Sequence, residues 1–86
     1  MAEHELKIKD KFYQAKLDGL KPWEFRDARD RQFAVGDTVK FRETDSQCSQ
    51  ITNVYTGREC QAKILYIHAP LPDFCIFTHG PIEILK

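Results

Sequence analysis

No C-x-x-C pair joins any of the three cysteines, Cys48, Cys60 and Cys75, which are widely spaced and odd in number. That pattern argues against both a zinc ribbon and a disulfide framework. His4, His68 and His79 stand apart, complete no ligand spacing and are expected at the surface or in turns, so neither a metal nor a cofactor is expected. An excess of charge of one sign is missing as well. Thirteen basic and thirteen acidic residues cancel, the isoelectric point lies near 6.8, and the chain therefore has no global positive field to drive nonspecific binding to duplex DNA. No apolar run reaches the ~18 residues of a membrane span. The opening "MAEHELKIKDK" has no apolar h-region of a signal peptide, so the expected compartment is the cytosol, with no membrane partner. Repeats and low-complexity tracts are absent from the sequence.

What is present suffices for one domain over residues 1–86. A chain of this length buries roughly 60–65% of its unfolded surface, and 42% hydrophobic with 12% aromatic residues can fill a core. The 30% charged fraction is that of a globular chain, not a disordered one.

"HELKI", residues 4–8, alternates Leu6 and Ile8 against Lys7 and reads as a short strand. A helix over about residues 9–19 follows, with Asp10 able to cap it and Gly19 able to end it. Tyr13, Leu17 and Leu20 share its apolar face beside Phe12 and Ala15, leaving Lys11, Gln14, Lys16 and Asp18 on the wet side. From Lys21 the period becomes two. "PWEFRDA" and "AVGDTVKFRE" read as strands, the latter across a Gly36-Asp37 turn, with Val39 and Phe41 opposed to Lys40 and Arg42. The polar segment 44–54 reads as a loop. "YTGRECQAKILYIHA" is the longest strand, with apolar residues on both faces, and "FCIFTHGPIEILK" is a last strand bent at Gly80-Pro81. The fold class expected is α+β, mainly β: five or six short strands in a curled sheet or half-closed barrel, with one main helix near the N-terminus. Phe12, Leu17, Trp23, Phe25, Val35, Val39, Phe41, Ile64 and Ile84 are the expected core.

Charge is concentrated in one stretch, "GLKPWEFRDARDRQFAVGD", with seven charged side chains between Lys21 and Arg31. Alternation sets Trp23 and Phe25 on one strand face, taken as the buried one, and Glu24 and Arg26 on the other. Lys21, Glu24 and Arg26, with Asp30 and Arg31 just beyond, could pair a phosphate and hydrogen-bond a base edge. The same residues could equally form a solvated face of cross-strand ion pairs. In "YTGRE", Gly57 permits a positive-φ turn from which Tyr55 could stack on a base while Arg58 reaches a phosphate. That segment also fits a plain hairpin turn.

"HELKI", "GLKPWEFR", "DRQFAVGD", Arg42-Glu43 and "YTGRE" occur in the order and approximate spacing of a group of small phage and bacterial proteins that resemble ASCH domains, relatives of the PUA domain. The resemblance covers nearly the whole chain. It implies a PUA-like pseudobarrel that binds RNA or a modified nucleoside in a cleft beside the first helix, lined by Lys21, Glu24 and Arg26; the small local patch on a neutral chain points to single-stranded RNA or a nucleotide in preference to duplex DNA. Some similar ASCH proteins hydrolyse an acyl group from a modified cytidine with a Lys, a Thr three residues later and a remote Glu. Lys21 and Arg26 match that motif, but Glu24 stands at the Thr position and the hydroxyl is lost. Were the chain an enzyme, Lys21 and Glu24 would be its catalytic candidates, with Glu43, Glu59 and Glu83 competing for the remote carboxylate. Three functions are therefore carried forward: a binding module for RNA or a nucleotide, a small hydrolase acting on RNA or a modified nucleoside, and a phage-type interaction protein that binds a host protein.

Overall fold

The computed structural model describes residues 2–27, 32–45, 55–68 and 73–85. Among these residues six strands and one helix follow one another as β1 (Glu3–Lys9), α1 (Asp10–Leu17), β2 (Trp23–Asp27), β3 (Thr38–Thr44), β4 (Tyr55–His68), β5 (Phe74–His79) and β6 (Glu83–Ile84). The mainly β reading with a single short helix holds. Arg31, Asp30, Cys48 and most of the 44–54 loop lie outside the described residues.

The strand order is β1-β3-β4-β5-β2, with β6 paired to β4. β1 and β3 run parallel, joined by the long crossover through α1 and β2, and every other pairing is antiparallel. β4 is the strand on which the sheet turns. Its first half pairs with β3 and β6, its second half with β5, and the register with β5 shifts between Ile64 and Tyr66. Such an irregularity bends a strand and increases its twist. The bend brings the two edge strands, β1 and β2, toward each other, and Arg26 Nη2 on β2 donates to the Lys7 carbonyl on β1 at 3.0 Å. The sheet is thus curled and joined at one side-chain seam.

α1 is positioned by its end. Gly19 takes φ +76°, its amide donates to the Lys16 carbonyl, and the Leu20 amide donates to the Ala15 carbonyl. These two bonds are a Schellman stop, which favours glycine because a left-handed backbone costs it no Cβ clash. The buried core comprises Leu6, Ile8, Tyr13, Phe33, Val39, Phe41, Cys60, Ile64, Cys75 and Phe77. Val39, Phe41 and Ile64 are where the sequence puts them, and Leu17 is half-buried against the core.

Other expectations are corrected. Phe12, Trp23, Phe25, Val35 and Ile84 are exposed. On β2 the alternation is right but its phase is inverted: Glu24 faces inward opposite Phe77, and Trp23 and Phe25 face out. The cause lies on α1, where Lys16, expected on the wet side, is buried and draws the carboxylate in. β4 is also less two-sided than its composition implies. Ala62 and Ile64 are buried while Leu65 and Tyr66 are both exposed, because the register shift interrupts the period of two. His79, expected at the surface, is buried.

Candidate functional site

Glu24 is the hub of the site. Its side chain is 3% exposed and meets three cations: Lys16 Nζ at 2.9 Å and Lys21 Nζ at 3.3 Å on Oε1, and Arg26 Nε at 2.9 Å on Oε2. Burial by itself pushes the Glu24 carboxyl upward, but Lys16, Arg26 and Lys21 outweigh it and hold the group below its usual 4.5. Burial lowers the Lys16 ammonium, with Glu24 opposing that shift. Lys16 Nζ also donates to the carbonyls of Lys21 and Trp23 at 3.1 and 3.2 Å and lies 2.9 Å from His79 Nε2. His79 Nδ1 lies 2.9 Å from the Gly80 carbonyl. An imidazole that donates from Nδ1 and accepts at Nε2 satisfies both contacts, and burial lowers its pKa in keeping with that neutral form. Lys16 thereby ties α1 to the start of β2 and to the end of β5.

Around this hub opens a groove of about 270 Å³ at the β1–β2 seam. Among the described residues, Lys7, Lys9, Lys21 and Arg26 line it together with one carboxylate, Glu24, and Phe12 and Phe25 stand on its walls. Lys21 Nζ lies 4.5 Å from the centre of the Phe12 ring and 5.1 Å from that of Trp23, so the cation bridges two exposed rings. The structure therefore brings Lys21, Glu24 and Arg26 together. Glu24 is not a free acceptor for a base edge, however, since both of its oxygens are held by cations. A general base at neutral pH needs a carboxyl tuned upward, and this one is tuned downward.

Tyr55 and Arg58 are placed elsewhere. Arg58 donates from Nε and Nη2 to the two oxygens of buried Glu43 at 2.8 and 2.6 Å, and its guanidinium lies 4.8 Å from the Tyr13 ring centre. Thr56 Oγ1 donates to the same carboxylate. The hydrogen bonds from Arg58, working against burial, keep Glu43 below the ordinary range. Tyr13 is buried and has its hydroxyl pushed up to about 12, chiefly by burial and then by the neighbouring Cys60. The Tyr55 ring is covered by the Arg42 guanidinium at 3.7 Å. Neither Tyr55 nor Arg58 joins the Lys21–Glu24–Arg26 cluster among the described residues.

Sequence reasoning missed Lys16 as a site residue, and it named Glu43 only as one of three competing carboxylates, without its partner Arg58. Glu43 shares strand parity with Val39 and Phe41, a signal that could have found it. Lys16 falls three residues after Tyr13, on the same helix face. His4 has a structural place: its Nε2 lies 2.8 Å from Asp37 Oδ2, and Asp37 also accepts from the Ala2 and Ala34 amides at 3.0 Å each. Cys60 and Cys75 are free and buried. Among the described residues no group of three or more His, Cys, Asp or Glu side chains could hold a metal ion, and no helix is long and apolar enough to cross a membrane.

The class that fold and site define is a small, mainly β domain whose curled sheet holds a buried carboxylate among cations at its seam. The chain belongs to the family described as Domain of unknown function (DUF3850), whose model matches residues 3–78. It is also 36% identical over 61 residues to a protein of Escherichia phage P2 named "Uncharacterized 12.9 kDa protein in GpA 3'region". That match takes in 71% of this chain and 50% of the phage protein, so the chain spans about half the length of this relative.

Proposed function

We propose that the protein is a binding module for single-stranded RNA or a nucleotide, built on a PUA-like pseudobarrel of the ASCH type, with the seam groove as its site. The observation that carries the reading is the groove's composition: among the described residues four basic residues and one carboxylate line it, and that carboxylate is consumed in positioning two of them. Glu24 fixes Lys21 and Arg26 so that their remaining donors can meet a phosphate without an ordering cost at the moment of binding. Phe12 and Phe25 supply apolar walls for a sugar or base. The depressed Glu24 carboxyl weighs against the hydrolase reading, because water activation at this position would require the opposite shift.

Binding of uridine monophosphate and of a fluorescent oligouridylate, measured at several salt concentrations, tests this. The expected result is modest affinity with a shallow salt slope of roughly two or three phosphate contacts, at about −0.7 each for a single strand. Lys9→Glu, at an exposed position on the groove wall, should weaken binding roughly tenfold, as should Lys21→Ala. Wild-type protein that binds neither probe, or binds both equally well in these variants, overturns the proposal.

A further inference from the structure

Beyond the groove, the outer face of β2, β5 and the end of β4 carries aromatic rings that the curled sheet leaves uncovered. Trp23 and Phe25 on β2 are 46% and 49% exposed, Phe74 on β5 is 38% exposed, and Tyr66 on β4 is 60% exposed. Register puts them on one face. Trp23 pairs with Thr78, Phe25 with Ile76 and Asp27 with Phe74, while on the other side of β5 Tyr66 pairs with Thr78 and His68 with Ile76. Directly paired residues point to the same side of a sheet, so one surface collects all four rings.

The rings are held in place. Phe25 and Phe74 stack with centroids 5.2 Å apart. His68 meets the Tyr66 ring edge-on at 4.6 Å, and its Nε2 is 2.6 Å from Thr78 Oγ1. Four fixed rings on one face of so small a domain expose apolar area that folding would otherwise bury, which marks a contact surface. Its border supplies the chemistry of the contact. Phe25 belongs both to this face and to the cationic groove, and the Lys21 ammonium lies over Trp23. The face therefore runs into the groove at the β1–β2 seam, where Lys7 and Lys9 on β1 and Lys21 and Arg26 at β2 lie along its border.

We infer that this face is a base-stacking platform for a single-stranded nucleic acid whose phosphates run along the groove. The inference rests on the nucleic-acid reading of the groove and extends it from one nucleotide to several. Trp23 and Phe25 are an i, i+2 pair and so stand roughly 6.5–7 Å apart along the strand, about twice the 3.4 Å step of a stacked strand. At that spacing successive unstacked bases can each meet a ring of their own. Stacking is tolerant of base identity, since every base has a π face. Duplex is disfavoured because its bases are already stacked and paired. A second copy of the chain would fit the face less well, because the border along β2 is cationic on both copies.

Trp23 is the only tryptophan, so its emission reports on the platform directly. Uridine monophosphate and oligouridylates of two, four and eight nucleotides are titrated at fixed low salt, with fluorescence and anisotropy readouts. Affinity should rise at least tenfold from the mononucleotide to the tetranucleotide, with quenching of Trp23. Tyr66→Ala and Phe74→Ala, both outside the groove lining and checked for folding by thermal melting, should each weaken the octanucleotide roughly tenfold while leaving the mononucleotide within about twofold. Three results overturn the platform and leave the groove standing: an octanucleotide that binds no tighter than the mononucleotide, ring variants that retain octanucleotide affinity, or a wild-type dimer in sedimentation that the ring variants dissolve. Failure of every probe to bind overturns both.

Discussion

The Lys16 ammonium sits 2.9 Å from the Glu24 carboxylate with the two side chains 0% and 3% exposed. This pair decides which way β2 faces. Two charges withdrawn from water cost several kcal/mol each before their attraction is counted, so the strand holds this phase only because Lys21, Arg26, His79 and two backbone carbonyls satisfy what remains of both groups. The exposure of Trp23 and Phe25 follows from the same choice, since turning Glu24 inward turns its neighbours outward.

Removing one partner should therefore be costly. Lys16→Met takes from Glu24 the most buried of its three cations and deprives two carbonyls and His79 of a donor, and an expected loss of about 3 kcal/mol should appear as a lower urea midpoint. Adding Glu24→Gln to Lys16→Met should cost less than the sum of the two single changes, because the two residues contact each other and each single change already removes their ion pair. A Lys16→Met protein within about 1 kcal/mol of wild type would mean the pair does not set the strand.

Acid should unfold the protein in two steps. Glu24, Asp37 and Glu43 are all held below their usual values of 4.5, 3.8 and 4.5. Groups depressed in the folded state stabilise it fully above the unfolded values and lose that contribution as pH falls through the folded ones. His79 obeys the same sign from a higher start: burial keeps it neutral below 6.5, whereas the unfolded imidazole takes up a proton there. Thermal melts from pH 8 downward should show a first decline beginning near 6.5 and a second below 4.5. His79→Gln should flatten the first decline and spare the second; a first decline that survives this change would remove His79 as its cause.

Much of this was legible in the sequence, and the rest was not, for identifiable reasons. Strand positions, the helix stop at Gly19, the break at Gly80-Pro81 and the inward set Leu6, Ile8, Val39 and Phe41 all follow from period and punctuation, which are local. The phase of β2 is not local. Hydrophobicity alone points Trp23 and Phe25 inward, and only the meeting of Lys16 with Glu24, eight residues apart and on different elements, reverses them. For the site, the convergence of Lys21, Glu24 and Arg26 is within reach of alternation and a short turn. Where Arg58 goes depends on Glu43, whose inward position was readable from parity but whose partner was not.

Arg58 should prove structural. It supplies two of the donors to buried Glu43 and a face for Tyr13. Its side chain is 45% exposed, so solvent screening reduces the pair below the worth of a fully buried one. Arg58→Ala should cost about 1–3 kcal/mol by chemical denaturation, and Arg58→Lys should recover only part, because an ammonium cannot span both carboxylate oxygens. Nucleotide affinity in folded Arg58→Ala should stay within about twofold of wild type. A large loss of affinity with unchanged stability would return Arg58 to the ligand site.

The sharpest contrast lies between two aromatic residues ten positions apart. Tyr13 is 1% exposed in the core and lies beneath Arg58, so Tyr13→Ala opens a cavity, at an expected cost of about 3–5 kcal/mol. Trp23 has the larger ring and, on hydrophobicity alone, would be the more damaging loss. Its outward position limits what truncation can remove to partial contacts, chiefly with Lys21. Trp23→Ala should cost less than about 1 kcal/mol while weakening any ligand that stacks on the outer face of β2. Denaturation midpoints for the two variants decide the matter. Equal losses would place Trp23 in the core, restore the phase that hydrophobicity predicts, and leave Glu24 facing water.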